Sequence, residues 1–143
     1  MERQGNDTQG TERQARGTFE VKRSMEPACD MGDGVEAGHF RFDKTFTGPL
    51  DATSVVHMLA VGSPATGSAG YVAVERVKGT LEGRSGTFFF QHSGVMDRGE
   101  TSLALRVVPD SGTDALAGLQ GAMAIDIVDG QHFYTFDYGF RDA

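Results

Sequence analysis

Residues 70–94 read GYVAVERVKGTLEGRSGTFFFQHSG, two alternating runs on either side of Glu82-Gly83-Arg84-Ser85. Side chains alternate between the faces of a strand, so each run divides by parity. Tyr71, Ala73, Glu75 and Val77 share one side of the first run; Val72, Val74, Arg76 and Lys78 share the other. In the second run Phe88, Phe90 and His92 oppose Thr87, Phe89, Gln91 and Ser93. A three-residue turn would group Glu75 with Gln91, because a one-residue slip flips every side chain. A two-residue turn at Glu82-Gly83 or Gly83-Arg84 groups Glu75 with His92, Phe88 and Phe90. Two-residue glycine turns are the commoner hairpin choice, and this register sends Arg76, Lys78, Gln91 and Ser93 outward. Glu75 and His92 are therefore expected inside, among aromatics.

The same reading extends along the chain. Thr18–Arg23 alternates, with Phe19 and Val21 inward. Glu26–Gly38 (EPACDMGDGVEAG) is acidic and reads as a solvated loop; Asp30, Asp33 and Glu36 do not match the EF-hand spacing. In His39–Thr47, Phe40, Phe42 and Phe46 share a face with Lys44, which either snorkels at the strand end or meets an internal acid such as Glu75. Ser54–Val61 is a strand apolar on both faces from Val55 onward, where its one polar group is His57. Thr101–Val108 and Ala122–Val128 alternate as strands, separated by Pro109–Gly121, where Thr113–Leu119 has room for one helical turn. Asp129-Gly130 is a strong hairpin signal before an aromatic strand, His132–Phe140. The sum is an all-β fold of about eight strands with little helix, joined mostly by short turns. An up-and-down antiparallel arrangement closed into a β-barrel would remove the exposed edges of an open sheet. Such a barrel is wide enough to be filled by side chains or to hold one small ligand. Residues 1–16 lack periodicity and read as a disordered N-terminal leader, leaving 17–143 as a single β-barrel domain.

Composition narrows the function classes. With 143 residues the chain can bury a core without disulfides or metal. A net charge of -7 disfavours nucleic acid and anionic membrane surfaces as partners. Cys29 is the only cysteine, so no intramolecular disulfide forms, which fits a reducing cytoplasm. No apolar run reaches membrane length. The exposed Val72, Val74 and Phe89 on the expected outer face are compatible with a homodimer.

Four stretches carry a resemblance: Gly17-Thr18-Phe19-Glu20-Val21, GSAGYVAVERVKGTLEGRSGTFFFQHSG at 67–94, VVPDSGTDALAGLQG at 107–121 and DGQHFYTFDY at 129–138. Together they resemble the bacterial family of domain of unknown function 3224, over essentially all of 17–140. The resemblance implies a closed barrel similar to that of allene oxide cyclase. It implies no catalytic residues.

Two readings fit Glu75 and His92. They satisfy each other structurally, or they serve a cofactor-independent isomerase or cyclase acting on a small hydrophobic substrate inside the barrel. In the second reading Glu75, its pKa raised by burial, is the general acid or base, with His92 and His57 as proton partners. Tyr71, Phe88, Phe90, Phe40 and Phe42 line the cavity, and Tyr134 donates a hydrogen bond. The alternative function is a non-catalytic carrier barrel for a hydrophobic small molecule. A metal set of His57, His92, His132 and Glu75 has none of the spacings of a metal motif, so no metal or cofactor is expected. An ionisable pair converging on open volume would favour catalysis; a wholly apolar cavity would favour carriage.

Overall fold

The computed structural model describes residues 13–142, which form eight antiparallel strands and one 3-10 turn, Asp114–Leu116. The strands are β1 (Arg13–Gly32), β2 (Val35–Thr47), β3 (Leu50–Ser63), β4 (Ser68–Leu81), β5 (Arg84–Asp97), β6 (Glu100–Val107), β7 (Leu119–Val128) and β8 (Gln131–Phe140). Each pairs with the next, and β8 pairs back with β1, so the sheet runs round in a ring. Among the described residues no helix is long and apolar enough to cross a membrane.

Two-residue turns set the register. Asp33-Gly34, Glu82-Gly83, Arg98-Gly99 and Asp129-Gly130 all have both residues at positive φ. That is the type I′ geometry, whose twist matches that of the flanking strands and whose second position suits glycine. At Glu82-Gly83 it places Leu81 opposite Arg84, Glu75 opposite Phe90 and Ala73 opposite His92. The two-residue register expected for this hairpin is therefore the observed one, with Glu75 and His92 buried and Arg76, Lys78, Gln91 and Ser93 exposed.

Two expectations need correction. The acidic stretch Glu26–Gly38 is not a loop but the end of a long hairpin, in which Cys29 pairs with Ala37 and Asp30 with Glu36 across two register shifts. Its acidity marks exposed arms rather than a turn, and Asp30 Oδ1 accepts a local hydrogen bond from the Gly32 amide at 2.9 Å. The leader expected over 1–16 is also too long at its inner end. Arg13 to Arg16 pair with Tyr138 to Thr135 in β1–β8, and Ala15 is buried against the core. Its polar sequence hid an edge whose partner lies at the far end of the chain. The rest of the expected leader, 1–12, lies outside the described residues.

The interior is filled at one end. Phe88, Phe90, Phe136 and Tyr138 pack ring to ring, with successive centroids 5.0, 5.4 and 5.2 Å apart. Leu50, Leu81 and Leu119 surround them, and Leu116 of the 3-10 turn is buried in the same cluster. The 108–118 connection is tied across this end by the Thr113 amide donating to Thr87 O at 2.9 Å. One junction in the ring is thin: β6 and β7 are paired only at Arg106 and Ala122. Outside, Val72, Val74 and Phe89 are exposed, as their parity requires.

Candidate functional site

The filled end stops at a polar layer. Glu75, on β4, projects inward between β3 and β5 because its neighbours Val77 and Ala73 share its parity and are buried. It is 1% exposed, and three side chains from three other strands converge on it. His92 Nε2 on β5 lies 2.6 Å from Glu75 Oε1, and Lys44 Nζ on β2 donates to the same oxygen at 3.2 Å. Ser54 Oγ on β3 donates to Oε2 at 2.6 Å. Of the alternatives for Lys44, the internal ion pair is the one formed. Its ammonium also sits over the rings of Phe19, at 4.8 Å, and Phe46, at 5.8 Å.

Burial alone would push the Glu75 carboxyl up. The hydrogen bond from His92, the Lys44 charge and the Ser54 hydroxyl outweigh it and hold Glu75 below its ordinary value. This overturns the expected direction. A group held ionised is a poor proton carrier, so Glu75 acts instead on its neighbours. As a carboxylate it can only accept, which makes His92 the donor and puts the imidazole proton on Nε2. The other ring nitrogen, Nδ1, bonds to no described residue.

Above this layer the ring is open. A cavity of about 220 Å³ has Phe19, Lys44, Val56 and His92 at its buried floor. Phe42, Met58, Tyr71 and Ile125 form its walls. Val21, Leu103 and Ile127, all partly exposed, rim the mouth, and His132 stands beside Phe19 with ring centroids 5.0 Å apart. Tyr71 keeps its place because Gly94 has no side chain: a Cβ there would lie 2.0 Å from the tyrosine ring. Burial pushes the Tyr71 hydroxyl up, so it remains protonated.

The ten or so residues singled out from the sequence thus separate by height and by face. Glu75 and His92 come together; Tyr71 and Phe42 line the cavity above them. Phe88 and Phe90 are inward but belong to the packed end, fully buried beneath the polar layer. Tyr134 is structural: its hydroxyl accepts from the Leu50 amide at 3.0 Å and donates to Thr47 O at 3.2 Å, fastening the β2–β3 turn. Phe40 packs outside the lining, with the Arg23 guanidinium 5.6 Å above its ring. His57 is on the outer face, where its Nδ1 lies 2.9 Å from His39 Nε2. Parity cannot say which face of a doubly apolar strand is inside, and the pairing of Val56 with Glu75 decides it against His57. With His57 outside, the four groups weighed as a metal set do not converge, and no other trio does among the described residues. Parity also carries Ser54 inward, on the face it shares with Val56 and Met58. Leu103, Ile125 and Ile127 complete the cavity without any motif to announce them.

Comparison with known families adds one decisive match. The family described as "Protein of unknown function (DUF3224)" matches residues 15–138. The chain belongs to this family. A solved structure of a DUF3224-family protein of unknown function from Shewanella oneidensis MR-1 is 46% identical, with a TM-score of 0.84. The similarity covers 91% of this chain and 98% of that one. No curated protein matches the chain. The family match thus reaches all eight strands, from Ala15 in β1 to Tyr138 in β8, and the family resemblance read from the sequence holds across them.

Proposed function

We propose that the ring works as a closed, allene oxide cyclase-like barrel housing a cofactor-independent isomerase or cyclase, with a small hydrophobic substrate held above the Glu75 layer. One observation carries this reading: the polar cluster is not sealed in the core but presents Lys44 and His92 to a largely apolar cavity. A carrier needs only the apolar walls. Here an oriented imidazole and a buried ammonium sit at the floor, the groups that move a proton and steady developing negative charge. His92 takes and returns the proton through Nδ1. Glu75 positions it, fixing the tautomer and stabilising the imidazolium that forms. At about 220 Å³ the cavity falls below the roughly 300–1,000 Å³ of drug-sized sites, which suits a compact substrate.

Deuterium uptake tests the reading without knowledge of the substrate. The protein is incubated in D2O with a mixed panel of small alkenes, epoxides and ketones, and the panel is read by mass spectrometry. Protein-dependent deuterium incorporation that falls on the order of a hundredfold in His92→Gln, in line with the usual worth of an acid–base group, supports it. Retention of panel members with no exchange would leave the carrier as the better account.

A further inference from the structure

The polar groups of the cavity specify more than apolar affinity. Lys44 is 8% exposed, and Glu75 is its one hydrogen-bond partner among the described residues, so its ammonium has donors to spare at the cavity floor. An ammonium offers only donors, and an unmet donor in an apolar setting is costly. The ligand must therefore bring an acceptor to that point. Nδ1 of His92, the ring nitrogen that bonds to no described residue, is the one left to meet a proton of the ligand.

Charge then chooses among acceptors. The Lys44 ammonium is already matched by the Glu75 carboxylate, so this ion pair at the floor is electrically balanced without a ligand. A carboxylate ligand would put an unmatched negative charge among Phe19, Val56 and Phe42. A neutral oxygen does not. Resting on the proton-transfer reading above, we propose that the substrate is a small, neutral carbonyl compound, its oxygen on Lys44 Nζ and an adjacent C–H on His92.

The chemistry balances without an outside reagent. His92 Nδ1 removes the proton α to the carbonyl, and the C–H electron pair moves into the carbonyl π system as an enolate. The Lys44 ammonium holds the enolate oxygen, charge now forming where a cation is already placed. The imidazolium then returns the proton to a different carbon of a conjugated enolate, giving an isomer of the starting compound. During the step Glu75 faces two cations instead of one, which is what its three donors and buried site prepare it to stabilise.

Three probes built on one six-membered ring test this: cyclohexanone, its near-isostere methylenecyclohexane, in which CH2 replaces the oxygen, and the charged cyclohexanecarboxylate. Each is titrated into the whole protein while NMR follows the methyl groups of Met58, Leu103, Ile125 and Ile127. The ketone is expected to bind at least tenfold more tightly than either of the others. The paired variant Lys44→Met/Glu75→Gln, which removes both charges together and so leaves none unmatched, is expected to erase that preference while keeping the apolar binding. Equal affinity for ketone and hydrocarbon would overturn the carbonyl assignment and leave the interior site standing. So would tighter binding of the carboxylate. If none of the three moves those methyl groups, the interior site itself fails, and this proposal with it.

Discussion

At the scale of single residues, Glu75 illustrates how far a buried carboxylate depends on its donors. Glu75→Gln would leave Lys44 in an apolar layer without its counter-charge, and removing one partner of a buried pair typically costs about 3–5 kcal/mol. Urea denaturation should show a loss of that order, and the companion change Lys44→Met should recover most of it. A negligible loss would mean that the ammonium reaches solvent through the cavity mouth. The acid limb follows from the same contacts. Because Glu75 is held below its ordinary value of 4.5, the unfolded chain binds the proton first as the pH drops. Its contribution is complete above 4.5 and is lost as the pH falls through the lower, folded value. Stability measured against pH in acid should therefore be flatter for Lys44→Met/Glu75→Gln than for the natural sequence. Period-two alternation and one glycine turn made the inward positions of Glu75 and His92 legible in the sequence. The sign of the Glu75 shift was not, because it depends on Lys44 and Ser54 arriving from two other strands. Nor does parity carry height along the ring, which is why Phe88, Phe90 and Tyr134 read as cavity lining when they lie in the packed end and at its turn.

Elements obey tighter local rules. Gly83 sits at φ 88°, in the second position of the turn that fixes the β4–β5 register. A side chain there costs roughly 1–2 kcal/mol, so Gly83→Ala should lower the thermal midpoint while leaving the Glu75–His92 pairing unchanged in a crystal structure. Gly94→Ala should act differently. Its Cβ would collide with the Tyr71 ring, which is part of the cavity wall, so probe binding should weaken more than stability falls. The same β4–β5 turn is held from across the ring by Tyr138, whose hydroxyl donates to Glu82. Burial and that hydrogen bond raise the Tyr138 hydroxyl to about 12 from an ordinary 10.0. The folded state keeps the proton that the unfolded chain gives up, so stability is complete below 10.0 and declines as the pH rises toward about 12. Tyr138→Phe should remove that alkaline decline, as unfolding free energies on either side of the range would reveal. The hairpins themselves were legible wherever an X-Gly turn separated alternating runs; the arms of the β1–β2 hairpin were not, because acidic residues and a bulge interrupt their alternation.

For the molecule as a whole, neighbours in sequence are neighbours in space, apart from the join between β8 and β1. That long-range join is well made, with seven residue pairs from Arg13–Tyr138 to Phe19–His132. The sparse one lies between β6 and β7, two strands linked by the 108–118 connection. Beyond Ala122, the β7 edge facing β6 lacks ladder partners, so hydrogen exchange there should outpace that of β4 and β5 by orders of magnitude, in keeping with the spread between locally and globally opened amides. Equal protection round the ring would count against a loose junction. The lips of this junction, Leu103 on one side and Ile125 and Ile127 on the other, also line the cavity. Its width is then not a fixed aperture. If the two lips part and reclose while β1 and β8 stay paired, the residence time of a bound molecule is set by how often the sheet breathes, and a guest broader than the mouth can leave sideways through the wall.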